Sequence, residues 1–147
     1  MTSMPCHVHI ARRVLAFGLA AFVVTAGARA QSLQELRAQE AEEAALAKEA
    51  QYTSSLCQTS ISTRIDWRTA ANWPDGVSLS TSCDAALGAI EWFCRTPDGR
   101  TRVKRITTFV CKGDGTGPSL AGGALSYGAK PGVNGFEATR SYLSEKL

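Results

Sequence analysis

Two cysteines that share one helix face and cannot bond to each other are the tightest constraint in this sequence. Cys83, Ala86, Leu87, Ile90, Phe93 and Cys94 recur at three- and four-residue steps, the spacing of an amphipathic helix. At about 1.5 Å per residue the two cysteines stand roughly 16 Å apart, whereas a disulfide needs Cα atoms about 4.4 to 6.8 Å apart. Each must find its partner elsewhere, so the helix becomes a rod with a covalent handle near each end.

Whether such handles form depends on the compartment, and the N-terminus speaks to that. Met1 to Arg13 closes on Arg12-Arg13, Val14 to Ala28 is almost wholly apolar, and Ala28-Arg29-Ala30 has small residues where a signal peptidase reads them. Residues 1–30 therefore read as a secretory signal peptide. An uncleaved anchor is disfavoured, because the apolar run falls short of the ~20 residues a helix needs to span a bilayer, so no stable membrane span is expected after cleavage. Arg12-Arg13 invites a twin-arginine reading, but Ala11 stands where Ser or Thr is expected, and export of the unfolded chain is favoured. The expected location is the periplasm or the medium.

Cleavage after Ala30 changes the chemistry of what remains. The full chain carries 16 basic and 13 acidic residues. Losing Arg12, Arg13 and Arg29 leaves 13 of each, so a global attraction to nucleic acid or membrane loses its support. His7, His9 and Cys6 leave as well. The remaining chain has no histidine and four cysteines, Cys57, Cys83, Cys94 and Cys111, an even number that predicts two disulfides in an oxidising compartment. No cysteine pair has the spacing of a zinc knuckle, and no metal or cofactor is expected.

Along the mature chain, residues 31–50 are rich in Ala, Glu and Gln, with five Glu against Arg37 and Lys48. They predict an acidic helical leader. Leu33, Leu36 and Leu46 keep no heptad register, so a coiled coil is not expected; the leader reads as a solvated spacer or as a partner-binding helix. Residues 51–147 are expected to form a disulfide-stabilised domain.

Within it, Cys57, Thr59, Ile61, Thr63, Ile65 and Trp67 alternate with polar residues, the period of a strand with one buried face. Thr81 with Asp84 reads as a capping box for the cysteine-bearing helix. Pro97-Asp98-Gly99 reads as a turn, 102–111 as a β-rich basic run and 119–127 as a last strand. A closing helix follows Asn134, with Glu137 as its capping partner and Phe136, Leu143 and Leu147 on one stripe.

The predicted fold is α+β: a small three-stranded sheet with a disulfide-clamped helix packed on it, a C-terminal helix and the acidic leader. Two cysteine pairings survive the helix geometry. If the helix folds back along the first strand and the next strand returns beside it, Cys57 meets Cys94 and Cys83 meets Cys111.

Without histidine, a Ser-His-Asp or Cys-His machine is excluded from the mature chain. Phosphate loops, dinucleotide fingerprints and calcium loops are not found. Asp66, Asp84 and Glu91 are the candidate carboxylates for a glycan hydrolase, a minor reading because nothing in the sequence spaces them for it. Arg100, Arg102, Lys104 and Arg105 form the most suggestive local feature. On a strand, Arg100, Arg102 and Lys104 would share a face and make an anion-binding stripe for an envelope polymer or glycan; the plainer reading is protection of an exposed strand edge. Trp67, Trp73 and Trp92 are candidates for a sugar-stacking surface or for the rim of the core.

Asp66-Trp67, the run from Cys83 to Ile90, Cys94, Cys111, Ser119-Leu120, Gly123-Ala124-Leu125-Ser126-Tyr127 and Tyr142-Leu143 together resemble small exported bacterial domains with no assigned activity. The resemblance covers residues 57–147 and implies one compact disulfide-bonded α+β module. The functional expectation is a non-enzymatic exported module that binds a protein partner through its leader or an exposed sheet edge. The alternative is an anionic ligand held by the basic stripe.

Overall fold

The computed structural model describes residues 32–147. The expected signal peptide lies outside the described residues. Helix α1 (Leu33–Cys57) leads into strand β1 (Ser62–Asp66), a 3-10 turn (Trp67–Ala70), α2 (Leu79–Phe93), α3 (Pro97–Val103), β2 (Thr108–Lys112), β3 (Gly117–Ala121), β4 (Ala124–Gly128) and α4 (Phe136–Lys146). The class is α+β, as predicted, with four strands instead of three.

The extra strand comes from Gly122 and Gly123. Both adopt positive φ, 55° and 80°, a two-residue turn that L side chains resist and that matches the twist of a hairpin. The stretch expected to be one strand therefore folds back on itself as β3 and β4.

Strand order is β1-β2-β4-β3. β1 pairs with β2 in parallel and β2 with β4 in parallel, while β3 runs antiparallel to β4. The register sets Thr63, Phe109 and Leu125 in one row and Ile65, Cys111 and Tyr127 in the next. Because strand side chains alternate, both rows share a face. α1 covers β1 on that face, α2 covers β2 and β4, and α4 covers β3. Phe109, Leu125, Leu87, Ile90, Leu46 and Leu143 form the centre of the core.

α1 corrects the expected boundary at residue 50. It opens on a capping box, Ser32 and Glu35 each accepting the other's backbone N–H. It then runs unbroken to Cys57, where Gln58 turns into the left-handed region at φ 54°. Leu46, Ala50, Thr53 and Cys57 recur at four-, three- and four-residue steps and are buried. Its second half is thus part of the core. Cys57 closes this helix instead of opening a strand, and the alternating segment supplies a strand only from Ser62.

Two disulfides join Cys57 to Cys94 and Cys83 to Cys111, with Cα separations of 4.9 and 5.9 Å. The pairs are those of the topological argument, although Cys57 arrives from a helix end. One bridge ties α2 to α1 and the other ties α2 to β2. Bridges of this kind contribute about 2 to 4 kcal/mol each, and they belong to an oxidising environment.

Helix starts also differ from expectation. α2 begins at Leu79 with Ser78 as its cap, the Ser78 hydroxyl accepting the Thr81 N–H at 3.1 Å. Thr81 and Asp84 lie one turn inside and form no capping box. The Glu42 carboxylate of α1 accepts the Ser80 N–H at 2.7 Å and the Ser78 hydroxyl at 3.0 Å. A negative charge from one helix thus satisfies the electropositive end of the next. At α4, Asn134 accepts the Phe136 N–H, and Glu137 pairs with Arg140 instead of capping.

Pro97-Asp98-Gly99 is the first turn of α3, not a connecting turn. Thr96 accepts the Gly99 N–H as cap and Pro97 sits at the first helical position. A Cβ at Gly99 would collide with the Phe93 carbonyl, so only glycine lets α3 close up against the end of α2.

Candidate functional site

The two edges of the sheet are finished differently. β3 is the edge beside α4, and it offers no free outward N–H. Pro118 has no N–H to offer, and the Leu120 N–H donates to the Tyr142 hydroxyl at 2.8 Å.

β1 is the other edge. The Ser62 N–H donates to the Thr107 carbonyl at 3.0 Å, so Ser62, Arg64 and Asp66 aim their backbone groups at β2. Alternation then aims the N–H and C=O of Thr63 and Ile65 outward. Among the described residues these groups meet no hydrogen-bond partner.

Beside this open edge, α1 and β1 enclose a groove of about 430 Å³. Glu40, Glu43 and Leu46 line its helical wall and Thr63, Arg64 and Ile65 its strand wall. Glu43 accepts the Trp67 indole N–H at 2.8 Å, which pins α1 to the end of the strand. Leu46 and Ile65 are buried in its floor.

Charges around the groove divide by sheet face. Glu40 and Glu43 belong to the helix-covered face. Arg64 projects from the opposite face, in a row with Val110 and Ser126. Asp66, two residues on from Arg64, is occupied by Arg68 at 2.9 and 3.0 Å. That guanidinium holds the Asp66 carboxyl below its ordinary range. Arg64 and Glu40 take part in no salt bridge among the described residues.

The anion-binding stripe expected at Arg100, Arg102, Lys104 and Arg105 is not formed. In α3 successive residues turn by about 100°, so a two-residue spacing does not keep a common face. Arg100 donates to the Cys94 carbonyl, Arg102 pairs with Asp98 at 2.8 Å, and Arg105 reaches the carbonyls of Lys146 and Leu147. Lys104 caps the helix C-terminus.

The three tryptophans are engaged by different elements. Trp67 bonds α1, Trp73 donates to the Val77 carbonyl of its own loop, and Trp92 on α2 lies under the Arg140 guanidinium of α4 at 5.3 Å.

Asp84 and Glu91 lie two turns apart on α2, about 10 Å along the axis, and both face Glu49 of α1. Loss of hydration raises both carboxyls, and the Glu49 charge adds to it; at Glu91 the Thr53 hydroxyl at 2.7 Å opposes the rise. Asp66 sits at the end of β1 on its own arginine. The three expected carboxylates thus fall into two environments, and the pair on α2 belongs to the helix interface. Among the described residues no cluster of metal-ligating side chains is found, and no helix is long and apolar enough to cross a membrane.

The fold and its open edge define a class: a disulfide-clamped α+β module with three helices on one face of a four-stranded mixed sheet. Compared with known proteins, the chain matches no family model, no curated protein and no solved structure.

Proposed function

We propose that this chain is an exported, non-catalytic module that binds a protein partner by accepting an extended segment along the free edge of β1. The observation that carries this reading is the contrast between the two sheet edges. β3 has no free outward donor, because Pro118 lacks an N–H and that of Leu120 goes to Tyr142, whereas β1 leaves the outward N–H and C=O of two residues beside a groove. Unpaired strand edges are usually blunted, and an edge left open next to a shaped groove suits strand addition, in which main-chain hydrogen bonds give affinity and flanking pockets give selectivity.

The two disulfides support a location outside the reducing cytoplasm, and the apolar N-terminal segment supports export as the route. Anion binding by the basic run has less support, since Arg100, Arg102 and Arg105 are already engaged.

A photo-crosslinking side chain in place of Arg64, carried by the full chain in its own cells, tests the reading. The expected result is an adduct with an extended segment of one partner that disappears when Thr63→Pro is added. Proline there removes an outward donor and leaves the β1–β2 ladder intact; intact disulfides and an unchanged near-ultraviolet spectrum verify its fold. No adduct, or an adduct indifferent to Thr63→Pro, overturns the reading.

A further inference from the structure

Resting on that edge-binding reading, the geometry points to a particular partner chemistry: a strand that carries a carboxylate across from Arg64, flanked on both sides by apolar or basic residues. Strand alternation sets this preference. A strand laid along β1 places successive side chains on opposite faces of the sheet. Those flanking the position opposite Arg64 turn toward α1, and the one opposite Arg64 turns away.

On the α1 side, the added strand meets the apolar floor made by Leu46 and Ile65 and the acidic rim made by Glu40 and Glu43. Apolar side chains extend the core there, and a lysine or arginine reaches the rim with its stem over the floor. An acidic side chain would be repelled by Glu40, which has no cation paired to it among the described residues.

On the other face, Arg64 is exposed. Its same-strand neighbour Asp66 is taken by Arg68, and its lateral neighbour Val110 is apolar. Cross-strand partners of opposite charge stabilise a pair and like charges destabilise it, so Arg64 selects a carboxylate. A second copy of this chain fits less well. Antiparallel pairing centred on Arg64 would set two arginines against each other.

A displayed library of random twelve-residue peptides, selected on the immobilised, disulfide-bonded full chain, is the test. The expected enrichment is an acidic residue with apolar or basic neighbours on either side. Thr63→Pro is expected to weaken the enriched peptides about tenfold, the scale of a lost hydrogen bond with a steric block. Arg64→Glu is expected to invert the preference at the central position from acidic to basic, with up to about fivefold loss for the original peptides.

Peptides that need the edge but show no charge preference, or are indifferent to Arg64→Glu, overturn this inference and leave the edge reading standing. Peptides indifferent to Thr63→Pro overturn both. An absence of enrichment also overturns both, whether the chain sediments as a monomer or as a dimer that Thr63→Pro dissolves; the dimer would make a second copy the occupant.

Discussion

The Leu120 N–H donates to the Tyr142 hydroxyl at 2.8 Å, so the closing helix seals the backbone of the edge strand it lies beside. Tyr142 also packs against the core, so its one side chain serves both the packing of α4 and the protection of β3. Tyr142→Phe keeps the ring and removes only the acceptor. The expected cost is about 1 kcal/mol, read as a lower urea midpoint, together with faster exchange of the Leu120 amide. An unchanged Leu120 exchange rate would mean that the hydroxyl does not guard this edge.

Glu42 links α1 to α2 by a carboxylate placed at a helix N-terminus. Glu42→Ala leaves the Ser80 N–H without its acceptor at a partly buried site and is expected to cost about 1 to 2 kcal/mol. Glu42→Gln, which keeps an acceptor but not the charge, is expected to cost less. Equal midpoints for the two variants would show that a neutral acceptor contributes nothing and that the charge carries the whole effect.

Asp84 and Glu91, with the Glu49 charge facing them, make the α1–α2 seam sensitive to acid in an uncommon direction. Asp84 and Glu91 are raised above their ordinary values by burial and by neighbouring negative charge. The groups facing them are Glu49 and the Thr53 hydroxyl from α1 and Arg95 at the end of α2, with Lys48 lining the same groove as Asp84. A carboxyl raised in the folded state binds protons more readily there than in the unfolded chain. Its stabilising contribution is present below the ordinary carboxylate range and is lost as pH rises through the raised folded value. Glu49→Gln is therefore expected to stabilise the protein at neutral pH by less than about 1 kcal/mol and to flatten this part of the profile, measured as urea midpoints against pH. A loss of stability at neutral pH would contradict the account.

Thr139 is buried on α4, and its hydroxyl meets no partner among the described residues. Thr139→Val replaces the hydroxyl with a methyl of similar size and is expected to raise the unfolding midpoint by about 1 kcal/mol. A fall would show that the hydroxyl is satisfied in solution.

What the sequence makes legible, and what it hides, follows from how local each signal is. The amphipathic run from Cys83 to Cys94 is a local pattern of large apolar residues, and it identifies α2 without outside help. The disulfide pairs follow from it once the neighbouring strands are placed. The second half of α1 hides because its buried positions after Leu46 are Ala50, Thr53 and Cys57. Small and hydroxyl-bearing residues suit close helix contact yet look like the surface of a spacer.

α3 hides behind Pro97-Asp98-Gly99, whose composition is that of a turn although Thr96 caps it and Pro97 opens a helix. Once those residues are helical, the basic run disperses. The open edge of β1 is legible only after the strand order is known. Alternation identifies Thr63 and Ile65 as a pair on one face, but which strand flanks them depends on pairings with residues far along the chain.

Amide hydrogen exchange at Thr63, Ile65 and Leu120 in the disulfide-bonded protein tests the central claim most directly. The account predicts that Thr63 and Ile65 exchange quickly and Leu120 slowly in the free protein, and that a peptide selected on the edge slows Thr63 and Ile65 while leaving Leu120 as it was. Slow exchange at Thr63 and Ile65 in the free protein, or no slowing when the peptide binds, would contradict it.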